Sequence, residues 1–271
     1  MMNYSTSAVK LLAILILFAQ TALAQKNDRE KMNLKGKVKT VMQIEYKIGE
    51  DTEDEARMKY VFNSKGYKTA EISEDREGNS IYRNDFAYDK TGRLISETET
   101  DNLINYVMVK SYKYNSLGKI EQIKVEAKKD LLQTFVYEYS DGGNTRNIKL
   151  LKKKGMTDEN FIQKYDANEN MIEEIRTEGN EYKKFVYLYD EMNRLIAKEE
   201  YNKSDRLRYK TEYAYDMFGN VITETSGYVG GTASPTVFTY VYQYDEHGNW
   251  TNVREQSEGK TFNVISRRIE Y

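Results

Sequence analysis

Cysteine is absent from the 271 residues, proline occurs once at Pro235, and histidine and tryptophan occur once each, at His247 and Trp250. Without cysteine there is no disulfide framework, no thiolate nucleophile or metal ligand, and no lipid anchor through a thiol. Near-absence of proline suits a chain that spends most of its backbone N–H groups on β-ladders. Long apolar runs are also missing. The one apolar stretch, LLAILILFA at residues 11–19, is too short for the ~20 residues needed to cross about 30 Å of hydrocarbon. It follows Lys10 and precedes QTALA, where Ala22 and Ala24 fit a small-x-small cleavage site before Gln25. Residues 1–24 therefore read as a signal peptide and the patternless residues 25–33 as a flexible leader. The mature protein is expected to be secreted or periplasmic, with no membrane span after processing.

A strong charge of either sign is lacking too. Processing leaves 40 basic and 43 acidic side chains, a formal charge of −3, which gives no electrostatic case for nucleic acid or an anionic membrane. The cluster KKK at 152–154 reads as a solvated hairpin end.

What the chain has in abundance is tyrosine, 24 residues against nine phenylalanines. An apolar ring with a polar tip fits a half-exposed β surface. The tyrosines recur in a phrase most legible at FAYDKTGRL, residues 86–94. Its second aromatic stands at Phe62, Tyr88, Tyr114, Tyr139, Tyr165, Tyr189, Tyr215 and Tyr244, about every 26 residues, so this is a repeat protein. Two positions earlier the residue is again aromatic, except at Gln163. The next residue always carries a short oxygen-bearing side chain: Asn63, Asp89, Asn115, Ser140, Asp166, Asp190, Asp216 or Asp245. Four after the anchor comes glycine, except at Glu169 and Asn193.

Aromatics at i and i+2 share one face of a strand. The Asp or Asn that follows can accept hydrogen bonds from the turn backbone, and the glycine supplies the positive φ with which the chain re-enters the sheet. Each phrase therefore predicts a β-hairpin. Polar second connections such as EDREGNS at 74–80 and NKSDR at 202–206 give two turns and two strands per repeat. Eight repeats imply about sixteen strands plus terminal ones.

LKGKVKTVMQIEYK, residues 34–47, precedes the repeats as a cap strand. Val38, Thr40, Met42, Ile44 and Tyr46 fall on its apolar face, and the lysines at 35, 37 and 39 suit an edge. The acidic turn GEDTEDE at 49–55 follows. The last repeat carries the insertion TSGYVGGTASPT at 225–236, and RRIEY at 267–271 reads as half a ninth phrase. Sixteen flat strands would span nearly 80 Å at about 4.8 Å each, and open sheets rarely exceed ten strands without curling. The predicted fold is all-β, a single domain over residues 34–271, with an antiparallel hairpin meander coiling into a curved or spiral sheet.

No constellation of residues singles out chemistry. His247 sits at a turn position aligned with Thr91 and Phe218, so it reads as turn filler. The recurrent aspartates already have a turn role and lie 26 residues apart, whereas calcium needs several oxygens converging in one loop. Nothing in the spacing picks out a carboxylate pair, and Gly230-Gly231 lacks the Lys and helix of a phosphate loop. No catalytic residue, cofactor or metal ligand is assigned. The binding candidates are the aromatics Tyr240, Tyr242, Tyr244 and Trp250, which could stack on sugar rings or on a partner protein.

The phrases FAYDKTGRL (86–94), YAYDMFGNV (213–221) and YQYDEHGNW (242–250), with YLYDEMNRL (187–195) and YKYNSLGKI (112–120) close behind, resemble the YD repeat of the Rhs family. That family includes bacterial polymorphic toxins and the teneurins. The resemblance covers roughly residues 60–271 and implies a sheet spiralling into a hollow shell in a secreted or surface protein. The chain departs from the large members in having no Asp-Pro-x-Gly motif, since Ser234 precedes Pro235. The expectation is a non-catalytic scaffold or binding protein for a glycan or cell-surface partner. The alternatives are a hydrolase of extracellular polysaccharide and a toxin-associated accessory or immunity protein.

Overall fold

The computed structural model describes residues 27–48, 55–127, 130–152 and 155–271. The signal segment with its cleavage residues Ala22, Ala24 and Gln25, most of the 49–55 turn, and Lys153 and Lys154 lie outside the described residues.

Eighteen antiparallel strands follow one another in chain order. They are β1 (Thr40–Lys47), β2 (Glu55–Phe62), β3 (Lys68–Glu74), β4 (Ser80–Tyr88), β5 (Leu94–Asp101) and β6 (Tyr106–Tyr114). Then come β7 (Ile120–Ala127), β8 (Asp130–Ser140), β9 (Thr145–Lys152), β10 (Gly155–Tyr165), β11 (Met171–Glu178) and β12 (Glu181–Tyr189). The last are β13 (Leu195–Tyr201), β14 (Leu207–Tyr215), β15 (Val221–Tyr228), β16 (Thr236–Tyr244), β17 (Trp250–Ser257) and β18 (Lys260–Glu270). Each pairs with its sequence neighbours, and β1 pairs with both β2 and β18, from Thr40↔Glu270 to Lys47↔Asn263. The sheet is a closed barrel, not the open curved or spiral sheet expected from sequence. An even strand count lets the first and last strands meet antiparallel, and closure removes both edges. The lysine-flanked first strand is accordingly no edge.

Seven of the eight phrases show the turn chemistry that the sequence requires; in the other, Asp141–Gly143 form a short 3-10 turn and the Ser140 side chain caps nothing. Asp89 Oδ1 accepts from the backbone N–H groups of Thr91 and Arg93, at 2.8 and 3.0 Å, and its Oδ2 accepts from Arg93 Nε at 2.7 Å. Asn115, Asp166, Asp190, Asp216 and Asp245 repeat the two backbone bonds. At Asp190 the Arg194 amide, more than any other group, holds the carboxyl below the usual carboxylate range. The fourth turn residue has positive φ throughout, from Gly92 at 88° to the two exceptions, Glu169 at 65° and Asn193 at 59°. The left-handed region costs a side-chain-bearing residue about 1–2 kcal/mol. Glu169→Gly is therefore expected to raise stability by about 1 kcal/mol, a Tm increase of roughly 2–4 °C in a thermal melt. Asn193→Gly should be near neutral, because the Asn193 amide oxygen accepts from Asn168 and Asn170 at 3.1 and 2.9 Å.

Why the anchor is tyrosine becomes clear between repeats. The hydroxyls of Tyr88, Tyr114, Tyr139, Tyr189 and Tyr215 donate to the backbone carbonyls of Lys68, Leu94, Ile120, Met171 and Leu195, at 2.6–3.0 Å. Each acceptor lies six residues past the preceding anchor, so these five anchor tyrosines are tied to the hairpin before them. Phe62, the first anchor, has no earlier repeat to bond and lacks the hydroxyl. The basic residue of one turn also stacks on the next anchor: Arg93 on Tyr114 and Arg194 on Tyr215, both at 4.8 Å.

In seven of the eight phrase hairpins the register slips by one residue beside the anchor, as at Ala87/Tyr88 and Gln243/Tyr244. Bulges bend a strand and increase its twist. Recurring in nearly every phrase hairpin, they curl the sheet toward closure.

The aromatic face is the concave one, as a short strap shows. Residues 27–33, expected as a flexible leader, carry a one-turn helix α1 (Asp28–Lys31) with a capping box on Asn27. The Arg29 N–H donates to the Gly66 carbonyl at 3.1 Å, and Asn33 Nδ2 donates to the Phe218 carbonyl at 2.8 Å. Those turns join β2 to β3 and β14 to β15, six strand steps apart, or about 29 Å along the rim. Four residues, even fully extended, span only about 14 Å. The strap must cut across the mouth on the inner side, and the rim is drawn in around it. Leu34 and Val38 pack there against Val41 and Phe62, with Tyr60, Ile269 and Tyr271 beside them.

Val41, not the Met42 face, is therefore the buried side of β1: Val41 is 0% exposed, while Thr40, Met42, Ile44 and Tyr46 point outward. Of the sequence-predicted apolar face only Val38, ahead of the strand, is buried. The inner wall is lined rather than filled, since each hydrophobic cluster is confined to neighbouring strands or to the strap. The largest joins Met108, Ile120, Ile123, Val125, Phe135, Tyr137, Ile148 and Leu150. The outer wall carries mid-strand ion pairs, including Arg83–Asp85 at 2.6 Å, Lys113–Glu121 at 3.0 Å and Lys210–Glu212 at 2.7 Å. No helix among the described residues is long and apolar enough to cross a membrane.

Candidate functional site on the inner wall

Inward-facing side chains of β16, β17, β18, β1 and β2 form one continuous patch. Alternation along β16 turns Tyr240, Tyr242 and Tyr244 to the same side, and Trp250 opens β17 opposite Tyr244. The structure thus brings the four sequence-predicted aromatics together on the inner wall. Tyr242 lies 6.0 Å from Tyr244 and 5.9 Å from Trp250, centroid to centroid. Two of them also have a structural duty: Tyr242 donates to the Val221 carbonyl at 2.9 Å, and Tyr244 donates to Asp216.

Sequence reasoning missed the charged half of this patch. The Arg267 guanidinium lies on the Trp250 ring at 3.4 Å, with its Nε donating to Gln43 at 3.1 Å. Burial lowers its pKa to about 10, against the opposing influence of Tyr60 and Tyr242. Asn263, 5% exposed, donates from one nitrogen to Glu45 at 2.8 Å and to Glu255 at 3.0 Å. Burial, reinforced by Glu224 and Glu255, pushes the Tyr240 phenol up to about 12. Gln43 and Glu45 alternate with the apolar residues of β1, and that polar row was the available signal. It reads as a solvent face until β18 is known to supply Arg267 and Asn263.

A second polar cluster lies on β4–β6. Lys110 bridges Glu97, at 3.2 Å, and Glu99, with Tyr112 donating to Glu97. Burial, then the charge of Glu97, raises the Tyr112 phenol far above its usual range. A third centres on Gln163, the residue that broke the aromatic pattern. It is fully buried, donates to Glu174 at 2.6 Å and accepts from Tyr165 at 2.8 Å.

His247 remains in its turn, its ring 4.1 Å from that of Tyr271. The turn aspartates are consumed by backbone and tyrosine donors. No cluster of three or more His, Asp or Glu suited to a metal occurs among the described residues.

No protein-family description and no curated protein matches the chain. Solved structures do resemble it. A porin-like protein from Bacteroides uniformis aligns over 87% of this chain and 98% of its own, with TM-score 0.45 and 13% identity. A porin-like protein from Bacteroides vulgatus aligns over 85% and 97%, with TM-score 0.41 and 13% identity. A chain of the TcdB2-TccC3-Cdc42 complex aligns over 82% of this chain but 19% of its own, with TM-score 0.20 and 11% identity.

Proposed function

We propose that this chain is a secreted or periplasmic, non-catalytic barrel of YD-like repeats that binds a glycan against its inner wall. The observation that carries the reading is the Trp250–Arg267 stack set among Tyr240, Tyr242, Glu45 and Glu255. Flat rings cover the apolar face of a sugar, while carboxylates and a guanidinium meet its hydroxyls. Charged pairs along the outer wall favour a barrel standing in water, since a lipid-facing wall carries an apolar band about 25 Å tall. A cell-surface protein partner is the other ligand class that the aromatics suit.

One observation favours the hydrolase alternative. Glu45 and Glu255 share the Asn263 nitrogen, which puts their oxygens within about 6 Å, near the ~5–5.5 Å of retaining glycosidases. The same amide donates to both, however, and the Trp250–Arg267 stack beside them offers a sugar a binding surface. Binding is the better reading.

Trp250 is the single tryptophan, so fluorescence titration with a glycan panel reads the patch directly. A saturable shift, abolished by Tyr240→Ala, is expected. Silence across glycans and envelope proteins would remove the binding function, and polysaccharide turnover lost in Glu255→Gln would replace it with hydrolysis.

A further inference from the structure

Along the inner wall from Tyr242, three strands away on β13 and five away on β11, stand two cations close to one aromatic ring. Lys198 lies opposite Tyr187 and Thr211, on the inward side of β13. Its ammonium sits 4.6 Å from the centre of the Phe185 ring and 5.9 Å from that of Tyr187, with no hydrogen-bond or ion-pair partner among the described residues. The Arg176 guanidinium stands over the same Phe185 ring at 5.2 Å. Its carboxylate partner, Glu174, is fully buried and already accepts from Gln163. The exposed Lys183 pairs with Arg176 across the ladder, Glu200 lies opposite Phe185, and the exposed Glu181 shares the face of Lys183 on β12.

Two cations set about one aromatic ring repel each other. Burial, and then Arg176, lowers the Lys198 pKa below the ordinary lysine value. An anion placed between them would relieve that repulsion, form charge-assisted hydrogen bonds and give the amine the partner it lacks. A guanidinium presents a planar fork that matches a carboxylate in two bonds.

We propose that Lys198 and Arg176 form an anion subsite on the inner wall, taking the carboxylate of an acidic, uronic-acid type sugar. This rests on the glycan reading above and narrows it to charged saccharides. The subsite holds the acid group, with the Phe185 ring close to both cations.

The test uses trigalacturonate and its carboxyl-reduced neutral counterpart as probes of the full mature chain. Acetylation of Lys198 by acetic anhydride, followed by peptide mass spectrometry, is expected to slow at least tenfold with the acidic trimer and not with the neutral one. Arg176→Gln should abolish that protection, and Lys198→Gln should weaken the acidic trimer at least tenfold in the Trp250 titration while leaving the neutral trimer unchanged. If Trp250 responds to both trimers equally and Lys198 is not protected, the subsite is wrong and the glycan reading stands. If neither Trp250 nor Lys198 responds to either trimer, both are wrong.

Discussion

Val41→Asp is expected to abolish the folded barrel, with loss of cooperative urea unfolding, whereas Met42→Asp one residue later should shift stability by less than about 1 kcal/mol. Val41 is fully buried on β1, held between Ile269 of β18 and Tyr60 of β2 and covered by the strap residues Leu34 and Val38. A carboxylate there finds no donor. It must either stay ionised in an apolar setting or fold protonated, and an uncompensated buried charge costs several kcal/mol. That is a large share of the 5–15 kcal/mol typical of a domain. It also falls on the strand that closes the ring. Met42 faces outward between Lys59 and Arg268, where a carboxylate meets two cations. The reverse ranking would mean that the β1 faces are assigned the wrong way round.

Lys110→Met should be the most destabilising of the lumen substitutions, at about 3–5 kcal/mol near neutral pH, because it strands two carboxylates behind it. Burial alone would depress the Lys110 pKa, but Glu97 and then Glu99 outweigh it and hold the value above that of a free lysine. A pKa raised on folding contributes stability below the unfolded lysine value and loses it as pH climbs through the higher folded one. The wild type should therefore lose this contribution only above about pH 10. In the variant the sign reverses: the unpaired Glu97 and Glu99 bind protons more tightly when folded, so stability should recover as pH falls from 7 toward 4. Urea midpoints across that range read the difference, and a flat profile in the variant would contradict it.

Much of this architecture was legible because the turn residues act locally. Asp89 and Gly92 determine their hairpin through bonds within five residues, so a single phrase suffices to read it, and eight phrases give the strand count. That the aromatics share one face of the sheet was legible for the same reason. Closure was not, because the pairing of Thr40 with Glu270 joins residues 230 positions apart and leaves no local trace. The β1 face was inverted by its own pattern, since Met42, Ile44 and Tyr46 look like a core row. Gln43 and Glu45 are inward only because β18 offers Arg267 and Asn263. Of the candidate site, the tyrosines and Trp250 were legible as the regular part of a repeat. Its charged members were not, nor were Lys198 and Arg176, because each belongs to one repeat alone. Gln163 shows what an informative exception looks like. A polar residue at an otherwise aromatic position marks a place where a buried Glu174 needs a donor.

Absence of cysteine makes the central claim directly testable by disulfide trapping. Ile44 and Ser266 are directly opposed on the outer faces of β1 and β18, within the 4.4–6.8 Å Cα separation that a disulfide accepts. Ile44→Cys with Ser266→Cys should oxidise to a monomeric cross-linked species of altered gel mobility, as readily as Ile44→Cys with Arg57→Cys on the neighbouring β2. If the β1–β2 pair cross-links and the β1–β18 pair does not, the sheet is open and the lumen with its site does not exist.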